Sequence, residues 1–359
     1  MPNRRDFFKT VAGTAAGMYV MGRGADFLMA RQARRQVSIG GRRIRVIDIH
    51  AHSAVPEVEP VVKGTPFERQ GMVGGNRRLG PERIELLDKQ GIDIQALSTN
   101  GFWWYAVEDR GLAGRIVRAQ NEGTARWVSE HPDRFVALAS VGLQHPDLAA
   151  EQLEYAVTRL GMRGVAIGGH CNGEDLSLAK YDPFWAKVNE HSLVVFMHPG
   201  GADNIIRPGT LEEGRADLGN IIGNPLETTY FLARLIFEGT LDKFPNVRVV
   251  GAHAGGFLPS YLGRFEVACD VRGDAECINK KKPSEYLHSQ ILADSMILTE
   301  DGLEHLVNVM TANQVVFGTD NPLNWPVPVD LIVDAPFLDN AQKEAILGGN
   351  LIKLLRITT

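Results

Sequence analysis

Ile47-Asp48-Ile49-His50-Ala51-His52 is a short alternating run that ends in two histidines two positions apart. In an extended chain, residues i and i+2 face the same side, so both imidazoles can reach one point. Alone the pair is weak evidence, because two histidines at that spacing arise often by chance. Its weight comes from what surrounds it. The run belongs to a candidate strand at 45–49, and seven more candidates follow at 94–98, 135–140, 164–167, 193–197, 247–251, 291–294 and 315–318. Helical patterns lie between them at 81–90, 112–130, 147–160, 183–191, 226–243 and 302–310. Pro81 and Pro146 stand where a first helical turn tolerates proline, and Gly91 and Gly161 where helices stop. This alternation predicts a parallel α/β fold. Eight strands predict a (β/α)8 barrel over residues 44–359.

A barrel of this kind gathers its chemistry at the C-terminal ends of the strands. His198 follows the fifth candidate strand, His253 the sixth and Asp320 the eighth, so these residues and the His50/His52 pair are predicted to share one rim. Three imidazoles and a carboxylate, His50, His52, His198 and Asp320, form a ligand set for one divalent metal; zinc suits it best, and manganese or iron fit the same set. No lysine ends the fourth strand to bridge a second ion. Zinc lowers the pKa of bound water toward about 7, and His253 is placed to exchange that water's proton as acid/base. His170, after the fourth strand, is a candidate for the pocket wall. The long connections 54–80 and 200–225 read as segments that cover substrate. His131, His145, His191, His288 and His305 fall in helices or turns and read as surface or capping residues.

Composition narrows the partners. A net charge of −5 and a longest basic run of three lysines, Lys280 to Lys282, give no field for nucleic acid. Arg4-Arg5-Asp6-Phe7-Phe8-Lys9 precedes a modest apolar stretch at 10–22 and resembles a twin-arginine export signal, with Asn3 and Phe8 departing from the usual pattern. Residues 1–43 therefore read as signal and linker, and the protein as exported to the periplasm; a cytoplasmic protein with a basic tail is the alternative. The apolar stretch falls short of the roughly 20 residues that span a bilayer, so no permanent membrane anchor is expected. Cys269 and Cys277 lie eight apart in what reads as a polar loop and could bridge in an oxidising compartment, with Cys171 left free. Folding before export, in a reducing compartment, would leave them open.

Further agreement is scattered in order along the chain: Gln95-Ala96-Leu97-Ser98-Thr99, the stretch 164–176, Glu227-Thr228-Thr229, Lys243-Phe244-Pro245, Ala252-His253-Ala254-Gly255-Gly256, Gly263-Arg264, Asp294-Ser295, Gly318-Thr319-Asp320 and Gly348-Gly349-Asn350. From Asp48 to Leu355 the sequence resembles the amidohydrolase-related decarboxylases, and within them the 2-amino-3-carboxymuconate-6-semialdehyde decarboxylase branch. The resemblance implies non-oxidative decarboxylation of an unsaturated or aromatic carboxylic acid. It implies metal ligation by His50, His52, His198 and Asp320, and acid/base work by His253. Arg264 falls where the family has an arginine that binds a substrate carboxylate across a dimer interface, which implies a homodimer. A second carboxylate-binding arginine is sought among Arg69, Arg77 and Arg78. Where the family has a tryptophan after its His-Pro, this chain has Gly200-Gly201. The same site suits a lactone or amide hydrolase, which is the competing reading. A binding protein on an inherited barrel would have no need of His253.

Overall fold

The computed structural model describes residues 34–358 apart from 212 and 214; the export-signal reading of residues 1–33 lies outside them. Eight strands form because their runs are apolar on both faces, as a parallel sheet wrapped in helices requires. They are β1 (Ile47–Asp48), β2 (Ile94–Leu97), β3 (Phe135–Ala139), β4 (Gly164–Ile167), β5 (Val194–Met197), β6 (Arg248–Gly251), β7 (Ile291–Asp294) and β8 (Val315–Val316). Every residue of β2, β4, β5 and β7 is buried. Neighbours in sequence are neighbours in the sheet, and all pairs are parallel. Beyond β8 the ring closes: Ile49 N donates to Phe317 O at 3.1 Å and His52 N to Asn321 O at 2.7 Å. The fold is the (β/α)8 barrel that the eight runs predict.

Two apolar cores hold it. One fills the barrel with Ile47, Ile49, Ile94, Ala96, Phe196 and Val250 among others, and Leu351 and Leu355 pack into the same cluster. The larger core lies between strands and helices. The main helices are α1 (Pro81–Gln90), α2 (Arg110–Glu130), α3 (Pro146–Leu160), α4 (Asp182–Glu190), α5 (Asn224–Phe237), α6 (Leu262–Val271) and α7 (Glu300–Met310). Gly91 and Gly161 end α1 and α3 in the left-handed conformation, with φ of 78° and 68°.

The structure departs from the sequence reading in three places. Residues 34–43 are not linker. A hairpin pairs Ser38–Ile39 with Arg42–Arg43, Val37 and Ile39 are buried, and Arg34 makes ion pairs with Asp88 and Asp93 at 3.1 and 3.2 Å. Residues 34–43 therefore belong to the same compact unit as the barrel. Cys269 lies on α6 rather than in a loop, and it is disulfide-bonded to Cys277. Cys171 is free and buried. The aperiodic connection after β1 is folded into single-turn helices at Pro56–Val58, Glu59–Val62, Glu68–Gly71 and Gly75–Arg77. No helix among the described residues is long and apolar enough to cross a membrane.

Candidate metal centre

His50, His52, His198 and Asp320 converge, each buried, with one ligand atom apiece lying within 4.8 Å of the others. Backbone geometry makes the approach possible. Asp320 has φ of 56°, a left-handed conformation that turns its carboxylate inward at the end of β8. Gly318 has to lack a side chain there: a Cβ would sit 2.9 Å from the Cβ atoms of both His50 and Asp294.

Each imidazole has one nitrogen engaged away from the centre. His50 Nδ1 lies 2.6 Å from Asp294 Oδ2, His198 Nδ1 lies 2.8 Å from the Pro199 carbonyl, and His52 Nδ1 lies 3.2 Å from the Asn100 amide. A carboxylate and a carbonyl only accept, so each fixes a proton on Nδ1 of His50 and of His198 and leaves Nε2 as the nitrogen that faces the centre. His50 Nε2 is 3.1 Å from Asp320 Oδ1 but off line, and it is buried without a hydrogen-bond partner. A buried ring nitrogen with no hydrogen-bond partner, among three other converging ligands, is what a cation site offers, and a divalent ion fits this set.

Electrostatics agree. Burial pushes His52 down to about 4, and burial with three histidine neighbours pushes His198 well below the usual range. Burial would lower His50 too, but the facing carboxylates of Asp320 and Asp294 outweigh it and hold this imidazole at about 10. Burial opposes ionisation of Asp320, yet His50, His253 and His52 hold it well below the carboxylate range. The metal-free centre thus carries one proton beyond those of neutral imidazoles, on His50 Nε2 facing Asp320. Its folded pKa exceeds the ordinary 6.5, so its stabilising effect is complete below pH 6.5 and is lost as pH rises through about 10. A cation competes with that proton. At pH 8, loading the metal-free protein should release about one proton per ion, read with an indicator dye in weak buffer; release of none would contradict this charge state.

His253 stands beside the centre, its ring 5.1 Å from His50 and 5.3 Å from His198 between centroids, and its Nε2 3.9 Å from Asp320 Oδ2. Its backbone is left-handed, φ 55° and ψ 54°. Asp294 braces this turn, accepting from His253 N at 3.2 Å and Ala254 N at 2.8 Å. Burial would raise Asp294, but His50, His253 and the Ala254 N–H reverse that and keep it ionised. Asp294 therefore fixes a ligand and the candidate acid/base together.

Two clefts lie beside residues that neighbour the cluster, Ser53 and Asn100 in one and Gly200 in the other, and none of the five cluster residues lines either. One, of about 210 Å³, runs under the 54–80 connection and is lined by Ser53, Met72, Arg77, Asn100 and Trp103 among others. The other, of about 200 Å³, lies past β4 and β5 and includes Phe102, Tyr105, His170, Gly200 and Glu227. His170 thus lines a cleft wall, with Nδ1 accepting from Gly173 N at 3.0 Å. Of the three arginines in the first loop, Arg77 lines the cleft, and its charge also lowers His52. Arg69 and Arg78 are exposed and line neither cleft. Arg264 is exposed on α6. A larger hollow of about 610 Å³ lies between α2 and α3, away from the residues that neighbour the cluster.

Glu227, at the start of α5, belongs to a stretch of the family resemblance, but its role was not readable from the sequence. Its buried carboxylate accepts from Gly169 N at 3.1 Å and from the N–H groups of Gly200, Gly201 and Ala202 at 2.8 to 2.9 Å. It ties the connections after β4 and β5 to one helix. Glu227→Gln puts a donor where an acceptor is needed and should cost about 2 to 3 kcal/mol of stability in denaturant titrations. A variant as stable as the parent would show those bonds to be dispensable.

A family model described as "Amidohydrolase" matches residues 47–357. The 2-amino-3-carboxymuconate-6-semialdehyde decarboxylase of Dictyostelium discoideum is 32% identical over 76% of this chain and 75% of its own length. A gamma-resorcylate decarboxylase of Rhodococcus jostii is 28% identical over 68% of this chain and 76% of its own. Among solved structures, 5-carboxyvanillate decarboxylase from Novosphingobium aromaticivorans, complexed with manganese and 4-hydroxy-3-methoxy-5-nitrobenzoic acid, superposes with a TM-score of 0.77 at 24% identity. That match covers 88% of this chain and 96% of the other. At that identity the superposition establishes the barrel.

Proposed function

We propose that this chain, which belongs to the amidohydrolase family, is a metal-dependent decarboxylase of an unsaturated or aromatic carboxylic acid. The observation that carries the proposal is the buried convergence of His50, His52, His198 and Asp320 beside a histidine, His253, that is not part of the ligand set. The decarboxylase relatives choose the reaction among those that such a centre could serve. His50, His52, His198 and Asp320 would hold one divalent ion. When bound, it supplies Lewis acidity that draws off charge as the carboxylate leaves. Zinc and manganese both suit this ligand set.

The protein's own groups do the rest. His253 holds a proton above the centre and gives it to the carbon that bears the carboxylate. A C–H bond forms there, the C–C bond to the carboxylate breaks, and its electron pair restores the unsaturation as carbon dioxide departs. Asp294 keeps His253 aimed by holding its backbone turn. Arg77 supplies a positive charge in the cleft for an acidic substrate, and Trp103 an apolar face.

Helix α6 packs Leu262 and Phe265 on the core but buries no residue fully, and Val267 and Val271, with Tyr261 just before the helix, are 49%, 70% and 61% exposed. We read this face as the contact of a homodimer, which would bring Arg264 toward the neighbouring substrate site. The Cys269–Cys277 disulfide suits an oxidising compartment and supports export.

Carbon dioxide release is the test, over a panel of unsaturated and hydroxylated aromatic acids with the zinc- and manganese-loaded protein. Release from at least one acid, lost with a chelator, is expected. Silence across the panel together with hydrolysis of a lactone or amide would replace the decarboxylase with a hydrolase.

A further inference from the structure

The groups that face the outward nitrogens of the three histidines are not alike. Asp294 and the Pro199 carbonyl can only accept, so His50 and His198 keep the proton on Nδ1 whatever the centre holds. His52 instead faces Asn100, an amide that offers a donor on one side and an acceptor on the other. Asn100 is 8% exposed and its Oδ1 is buried with no partner, while Nδ2 faces His52 Nδ1 at 3.2 Å. In that arrangement His52 carries its proton on Nε2 and gives it to Asp320 Oδ1, 2.7 Å away. That tautomer has no lone pair to offer a cation. Ligation through Nε2 moves the proton to Nδ1, and only the Oδ1 edge of the amide can accept it there.

We propose that Asn100 is a positioning residue whose amide follows the tautomer of His52, donating in the metal-free centre and accepting when an ion is bound. The inference rests on the metal-site reading above and adds a specific consequence. His52 is the ligand that the fold leaves unlocked, so part of the ion's binding free energy goes into turning His52 and Asn100 over. Asp294 and Pro199 exact no such cost. A side chain at 100 that could only accept would lock His52 ready for the ion, and one that could do neither would leave its Nδ1–H unpaired in a buried place.

The experiment measures zinc and manganese affinity by chelator competition for the full chain and for Asn100→Asp and Asn100→Leu. Thermal melting of each metal-free protein serves as the folding control. Asn100→Leu should bind about 10- to 100-fold more weakly than the parent, the range expected when an outer partner of a ligand histidine is removed. Asn100→Asp should bind at least as tightly as the parent, which a merely space-filling role for Asn100 would not produce. Affinity of the leucine variant within twofold of the parent would overturn the inference, as would an aspartate variant weakened as much as the leucine one. If Asn100→Leu does not fold, the aspartate variant decides alone: tighter or equal binding supports the assignment and weaker binding ends it. A parent chain that binds neither metal would instead overturn the metal-site reading on which the inference rests.

Discussion

His253→Asn should retain its metal and lose turnover by about 10²- to 10⁴-fold, the share that a positioned acid/base supplies. That is about 3 to 5 kcal/mol of barrier. Asparagine is the informative replacement because residue 253 sits at φ 55°, a conformation that asparagine adopts more readily than alanine or a β-branched residue. The backbone N–H that bonds Asp294 is kept, so the turn and the His50 partner survive. Metal content by elemental analysis and kcat on the same preparation separate the two effects. A mutant with near parental rate would remove His253 from the mechanism.

Asp320→Ala should lose metal and activity together. Its carboxylate is the one anionic ligand, lying 2.7 Å from His52 Nε2 and 3.1 Å from His50 Nε2. Without it three imidazoles would face a dication with no charge to neutralise it. Affinity should fall by at least about 100-fold, beyond what loss of an outer-sphere partner causes. Because Asp320 has φ of 56°, Asp320→Asn is the companion variant that removes the charge with the least backbone strain. Weak metal in both variants isolates the charge as the cause. Full metal retention in either would mean that the ligand set is misassigned.

The ligands were legible because strand ends are. A β-branched run followed by histidine or aspartate tells which rim the side chain reaches, and His50, His52, His198 and Asp320 all carry that signal. What orients those ligands left no such trace. The pairings of Asp294 with His50 Nδ1 and of Asn100 with His52 Nδ1 depend on which ring nitrogen faces inward, and that is a property of the closed barrel. Glu227 binds four N–H groups from two connections that lie 58 and 25 to 27 residues away, and no periodicity reports such a contact. Residues 34–43 read as linker because of their arginines. In the fold Arg34 and Arg43 are partners of Asp88 and Asp93, Arg35 pairs with Asp330 and Arg42 with Glu344, and the two strands of the hairpin are two residues long, too short to show alternation. Arg69, Arg77 and Arg78 were equivalent in sequence, and only the fold of the 54–80 connection puts Arg77 in the cleft.

The central claim is that one ion, held by three histidines and an aspartate, carries a decarboxylation. It is tested most directly by titrating the metal-free chain with zinc or manganese while recording carbon dioxide release from a responsive acid. The account predicts a rate that climbs linearly from baseline and levels at one ion per chain. A metal-free protein as fast as the loaded one, or a plateau reached only at two ions per chain, would contradict it.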